Sequence, residues 1–171
     1  DEMGALLSSL LGPKPKLDLW ASPTGRALQT LAVIAEHLEL DWHEARTDVR
    51  LREIDIGAWG ERNYADVTAE AGPVIDRETG LFSRRPPGGE WYGEIAVRLR
   101  SWLDDTEGET GDRLIVMHGM SSRVLRGLLT GAADRAGCGA PVADGLRQGS
   151  LVEMRGGVET VFEQGDAFDP L

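Results

Sequence analysis

The chain has 171 residues, 41% of them hydrophobic and 27% charged, which is the make-up of an ordinary folded domain long enough to bury its own core. Its net charge of -11 argues against nucleic acid or an anionic membrane surface as a partner, so any phosphate ligand would have to be met by arginines gathered locally. No apolar run approaches the roughly 20 residues of a membrane span, and no signal-peptide pattern opens the chain.

Met3, Leu6, Leu7, Leu10 and Leu11 recur at three- and four-residue spacing and predict an amphipathic helix. It begins abruptly at Asp1 without an initiator methionine, and residues before it are expected. Gly12-Pro13-Lys14-Pro15 ends the helix. Leu17 to Ala21 reads as a short buried strand, and Ser22-Pro23 as the start of a helix, with Ser22 as N-cap and Pro23 at the first helical position. Leu28, Leu31, Ala32, Ile34, Ala35 and Leu38 give that helix one apolar face. The stretch from Asp41 to Trp59 reads as irregular, with a weak helix over Tyr64 to Glu70. The glycine- and proline-rich segment from Gly72 to Gly89 reads as a surface loop.

Glu90 to Asp105 predicts the next helix, with Ile95, Leu99, Trp102 and Leu103 inward. Arg113 to Met117 (RLIVM) is a continuous apolar run, as in a parallel strand buried on both faces. His118-Gly119 closes it, and a helix starting at Ser121 or Ser122 follows to Leu129. Cys138, alone of its kind, permits no internal disulfide and suits a reducing, cytoplasmic setting; its AGCGAP loop offers no adjacent cation, so it reads as unreactive. Ser150 to Met154 and Glu159 to Phe162 flank Gly156-Gly157 and read as a hairpin. There is no internal repeat and no linker long enough to divide the chain. Strands alternating with helices point to an α/β fold with a mostly parallel sheet, whose ligands gather at the carboxyl ends of the strands.

Two of those ends carry chemistry. His118 follows the apolar strand directly and precedes a glycine and a helix; it either faces the crevice, with the amides of Gly119 and Met120 as an anion site, or is a core histidine bonded to a carbonyl. Arg26, one turn into its helix, either clamps a phosphate or is solvated; its place near a helix N-terminus is unfavourable without an anionic partner. Glu53, between Leu51 and Ile54, either serves partly desolvated as a general acid or pairs on the surface with Arg50 or Arg52. His37 and His43 sit at no strand end and read as surface or packing residues.

Four blocks, ASPTGRALQT, LREIDIGAWG, RRPPGGEWYGEIAVRLRSWL and DRLIVMHGMSSRVLRGLL, resemble in order and spacing the histidine phosphatase superfamily, the phosphoglycerate mutase-like family. The resemblance implies a three-layer α/β sandwich over residues 1–171, one domain with a mostly parallel central sheet flanked by helices. It implies phosphoryl transfer to a histidine in an Arg-His-Gly motif on the first strand. Arg26 and His118 would bind the phosphate beside Gly119, and Glu53 would protonate the leaving oxygen and later activate water. No metal or cofactor is implied.

No Arg-His-Gly stands anywhere in the chain, so the strand carrying the nucleophile is expected in a segment upstream of it. The expected activity is a phosphatase acting on a small phosphorylated metabolite. The short segment between LREIDIG and PPGGE favours that over a phosphoglycerate mutase. A relative that binds phosphate without turnover is the alternative from another class, and the absence of a G-x-S-x-G turn leaves a serine hydrolase a poor third. Arg84 and Arg85 read either as contacts for a second anionic group or as solvated charges. Trp59, Tyr64 and Trp91 read as pocket lining or packing. A homodimer is compatible with the sequence, which does not read out oligomeric state.

Overall fold

The computed structural model describes residues 2–162. In chain order its elements are α1 (Glu2–Leu11), β1 (Leu17–Ala21), α2 (Gly25–His37), β2 (Arg46–Thr47), α3 (Tyr64–Ala71), α4 (Tyr92–Thr106), β3 (Asp112–Val116), α5 (Gly119–Thr130), β4 (Leu151–Arg155) and β5 (Val158–Phe162). Short 3₁₀ turns occupy Trp42–Glu44, Val49–Leu51 and Gly57–Trp59.

β1 lies between β2 and β3, parallel to both, and Leu17 to Ala21 pair in register with Asp112 to Val116. Alternate side chains leave a strand on opposite faces, and here they enter two separate cores. Leu19 and Ala21, with Leu17, Leu114 and Val116 beside them, meet Leu31 and Ala35 of α2. Trp20, Ile115 and Met117 point the other way, into the larger core with Ile95, Leu99 and Trp102 of α4 and Val124 and Leu125 of α5. The result is a parallel sheet between two helical layers, with α1 laid on α2. Leu31 and Leu99 are fully buried, and truncating either to alanine costs on the order of 2–5 kcal/mol.

β3 is not fully buried as its apolar run suggested; its side chains from Arg113 to Val116 are half-buried, and Asp112 is exposed. Helices cover both faces, but among the described residues β3 pairs only with β1, so the exposure comes through an unpaired edge. Among the described residues β4 and β5 pair only with each other, antiparallel, around Gly156-Gly157, both with positive φ, as a two-residue hairpin turn requires. A forked pair ties the hairpin to α5: Arg126 Nε and Nη2 donate to the two carboxylate oxygens of Glu159 at 2.9 and 2.7 Å.

Two local expectations are corrected. The helix after β1 does not start at Ser22-Pro23. The Ser22 amide donates to the Val116 carbonyl at 2.9 Å and continues the strand ladder, and Thr24 is still extended, so α2 begins at Gly25. The segment from Gly72 to Gly89 is not only surface loop. Val74, Leu81 and Phe82 are buried in the larger core, and an antiparallel bridge joins Ile75 to Phe82. Glycine and proline content marks irregular backbone, and it hides the apolar side chains that anchor this backbone. No helix among the described residues is long and apolar enough to cross a membrane.

Candidate active site

The carboxyl ends of β1 and β3 set the site. Because the two strands are in register to Ala21 and Val116, the residues just beyond them, Ser22 and His118, are brought side by side. His118 is buried, and both ring nitrogens have partners. Arg26, on the first turn of α2, donates from Nε to His118 Nδ1 at 3.2 Å. A guanidinium only donates, so Nδ1 is the accepting nitrogen and a neutral ring carries its proton on Nε2. That N–H meets Ser22 Oγ at 2.7 Å, with Thr24 Oγ1 at 3.2 Å behind it. Burial holds His118 below the ordinary histidine pKa; the nearby Glu53 opposes this, while Arg26 and Arg98 add to it. The imidazole is therefore neutral near pH 7.

Glu53 approaches from the segment after β2. Its Oε1 accepts from the amides of Ile54 at 2.9 Å and Ser121 at 3.0 Å, and its Oε2 from that of Met120 at 3.2 Å. The carboxylate thus sits on the N-terminus of α5, where the helix dipole favours an anion. Arg50 and Arg52 are not its partners: Arg50 is held by Asp48 and Asp105, and Arg52 by Glu90. The expected anion site at Gly119 and Met120 is half taken, since the Met120 amide serves Glu53. The amide of exposed Gly119, with no acceptor among the described residues, remains. A side chain on Gly119 would stand 3.8 Å from Glu53 Oε2, inside the site.

The structure therefore gathers Arg26, Glu53, His118 and Gly119 at one place. His37 ends α2 against Gly4 of α1, and His43 stacks on Trp42 with its Nδ1 2.9 Å from Asp41, both as expected for packing or surface histidines. Arg85 is engaged by the Gly89 carbonyl and Glu94, and Arg84 is exposed. Trp59 packs on Phe82 in the core, Trp91 donates to the Gly137 carbonyl, and Tyr64 is exposed. Cys138 is buried, and burial pushes its thiol pKa up, against the pull of Arg135 and Arg123.

Sequence reasoning missed the hydroxyls. Ser22 was read as a helix cap and Thr24 not at all, yet both face the imidazole. The available signal was two hydroxyl residues beside the proline where a strand ends at a chemically loaded crevice. Among the described residues, no group of three His, Cys, Asp or Glu side chains is placed to hold a metal ion.

A family model described as histidine phosphatase superfamily (branch 1) matches residues 2–145. Among solved structures, the chain is similar to a mycobacterial glucosyl-3-phosphoglycerate phosphatase, with 22% identity over 77% of this chain and 67% of that one, at a TM-score of 0.61. It is similar to the alpha-ribazole phosphatase of Shigella flexneri at 19% identity over 94% and 79%, with a TM-score of 0.64. It is similar also to YhfR of Bacillus stearothermophilus at 19% identity over 98% and 82%, with a TM-score of 0.62. At these identities the structural likeness establishes the fold. No curated protein matches the chain.

Proposed function

The chain belongs to the histidine phosphatase superfamily, and from that premise we propose that it hydrolyses a small phosphomonoester through a phosphohistidine. The observation that carries this reading is the convergence of a guanidinium, an imidazole and a carboxylate at the ends of two paired strands. Arg26 supplies planar donors for phosphoryl oxygens and the Gly119 amide another, and His118 joins them by turning its Nε2–H from Ser22 Oγ to the phosphate. Two of the three similar structures named above are called phosphatases, which supports hydrolysis over mutase chemistry.

In this reading a histidine nitrogen attacks phosphorus while the bond from phosphorus to the alcohol oxygen breaks. Glu53 delivers a proton to that oxygen. Water then attacks the phosphohistidine, Glu53 takes a proton from the water, the phosphorus–nitrogen bond breaks and inorganic phosphate leaves. Splitting the transfer into two displacements eases each step. Of the carboxylate oxygens, Oε2 has the longer amide contact and faces Gly119, so it is the one that meets the leaving group.

The nucleophile is assigned to a segment outside these 171 residues. His37 and His43 lie away from the site, and His118 is engaged at both nitrogens. The edges of β3 and of the β4–β5 hairpin that stay unpaired among the described residues support a further strand joining the sheet. A second reading, a phosphate-binding relative without turnover, rests on the same missing histidine. The two are separated by assaying the intact protein against a panel of phosphomonoesters, with inorganic phosphate binding measured in parallel. Turnover that disappears in Arg26→Ala and His118→Ala supports the hydrolase. Phosphate binding with no turnover of any ester supports the binding relative.

A further inference from the structure

Unlike Arg26 on α2 and His118 and Gly119 at the start of α5, Glu53 has no regular element beneath it. The 3₁₀ turn ends at Leu51, the next begins at Gly57, and residues 52–56 have no ladder of their own. Leu51 and Ile54 anchor the segment into the core, which fixes its depth and leaves its path around Glu53 open. That path is held by side chains from elsewhere. Glu90, just before α4, accepts from Arg52 Nη2 at 2.7 Å, from Arg98 Nε at 3.0 Å and Nη2 at 3.2 Å, and from the Asp55 amide at 3.0 Å. The Glu90 amide in turn donates to the Asp55 carbonyl at 2.8 Å. Arg98, on α4, donates past Glu90 to the carbonyls of Arg50 and of Glu53 itself, the latter at 3.4 Å.

The side chains of Arg98 and Glu90 are only 10% and 13% exposed. A buried ion pair is weak grounds for stability, because the cost of desolvating both charges offsets their attraction. This one makes contacts with residues 50, 52, 53 and 55, on either side of the carboxylate that caps α5. Two close backbone approaches reinforce it: a side chain at Gly57 would strike the Pro87 carbonyl, and one at Gly89 the Asp55 carbonyl.

We propose that Glu90 and Arg98 are positioning residues that aim the Glu53 carboxylate at the leaving-group oxygen. The proposal rests on the reading of Glu53 as the acid. It makes the α4 end of the PPGGE block, remote in sequence from the reacting groups, a determinant of which phosphoesters are cleaved: those whose alcohol needs a proton in order to leave.

The test uses the intact protein and two substrates, an alkyl phosphate and p-nitrophenyl phosphate, whose phenolate leaves without help. It compares kcat/KM, which reports the leaving-group step, for wild type, Glu53→Gln, Arg98→Lys and the double variant. Lysine keeps the charge that bears on His118 and removes the fork that bridges Glu90 and two carbonyls. Arg98→Lys should lower kcat/KM for the alkyl ester about 10- to 100-fold, the scale of a misplaced catalytic group, and for the aryl ester far less. The double variant should be no worse on the alkyl ester than Glu53→Gln. Glu90→Gln, with thermal melting recorded to confirm folding, should show the same selectivity. Equal losses on both substrates, or losses that multiply in the double variant, would overturn the positioning role. A Glu53→Gln variant that does not distinguish the two esters would instead remove the acid reading beneath it.

Discussion

The strand ends that carry Arg26 and His118 and the segment that carries Glu53 are held by different forces. In the first region the backbone does the work. β1 and β3 pair residue by residue up to Ala21 and Val116, the Ser22 amide adds one more rung, and the side chains beyond emerge where the ladder puts them. In the second region charged side chains do it, through Glu90, Arg98 and Arg52. The ladder is made of many equivalent, cooperative bonds, so the loss of one contact is shared. The ionic clamp has few members, each with a distinct task, and it is the weaker point of the site.

The largest effect that would break this comparison lies in the strand-end region. Arg26→Ala and His118→Ala should each lower phosphatase kcat/KM by about 10²–10³-fold or more with every ester, since the proposed function has both groups meet the phosphoryl oxygens whatever the leaving group. Near-wild-type kcat/KM in either variant would remove the group from the phosphate site. Next comes Glu53→Gln, expected to cost about 10²–10⁴-fold on an alkyl ester and much less on an aryl one. Ser22→Ala should be milder. It removes one hydrogen bond to His118, with Thr24 Oγ1 near enough to substitute, so roughly 1 kcal/mol or less of stability is at stake in a melting experiment.

A smaller effect separates the two regions by pH. Burial holds the folded-state pKa of His118 below its unfolded value of 6.5, so the folded state resists taking up the proton. That contribution to stability is intact above about pH 6.5 and is lost as pH falls through the folded value. The melting temperature of wild type should therefore fall between pH 7 and pH 5 more steeply than that of His118→Gln. Parallel slopes would show that His118 is not the titrating group. Smallest of all, Val97→Ala on the exposed face of α4 should change stability by no more than about 0.5 kcal/mol.

The same division explains what could be read from the sequence. β1, β3, α2, α4 and α5 announce themselves through apolar periodicity, and with them the place of Arg26 and His118, because a strand end followed by a helix is a local pattern. Glu53 was legible as a candidate only. Its distant partners stand at 98, 120 and 121, with Glu90 bound to its neighbours Arg52 and Asp55, and no local rule says that the carboxylate would cap α5 rather than pair with Arg50 or Arg52. Ser22 was misread because two rules compete at that position: serine before proline is a good helix start, but a further rung of sheet and a bond to His118 outweigh it. The stretch 72–89 was misread because its glycines and prolines are conspicuous, whereas Val74, Leu81 and Phe82 are spaced without a period.

The central claim is that the site works through a phosphohistidine, and it is tested most directly by trapping one. The intact protein is mixed with a ³²P-labelled aryl phosphate, whose alcohol leaves without help from Glu53, quenched within the first turnovers, and the label on protein is challenged with acid and with alkali. The account expects label that survives alkali and is released by acid, that builds up when Glu53 is replaced by Gln, and that fails to form in Arg26→Ala. Steady hydrolysis of the ester with no such label at any time point would contradict it.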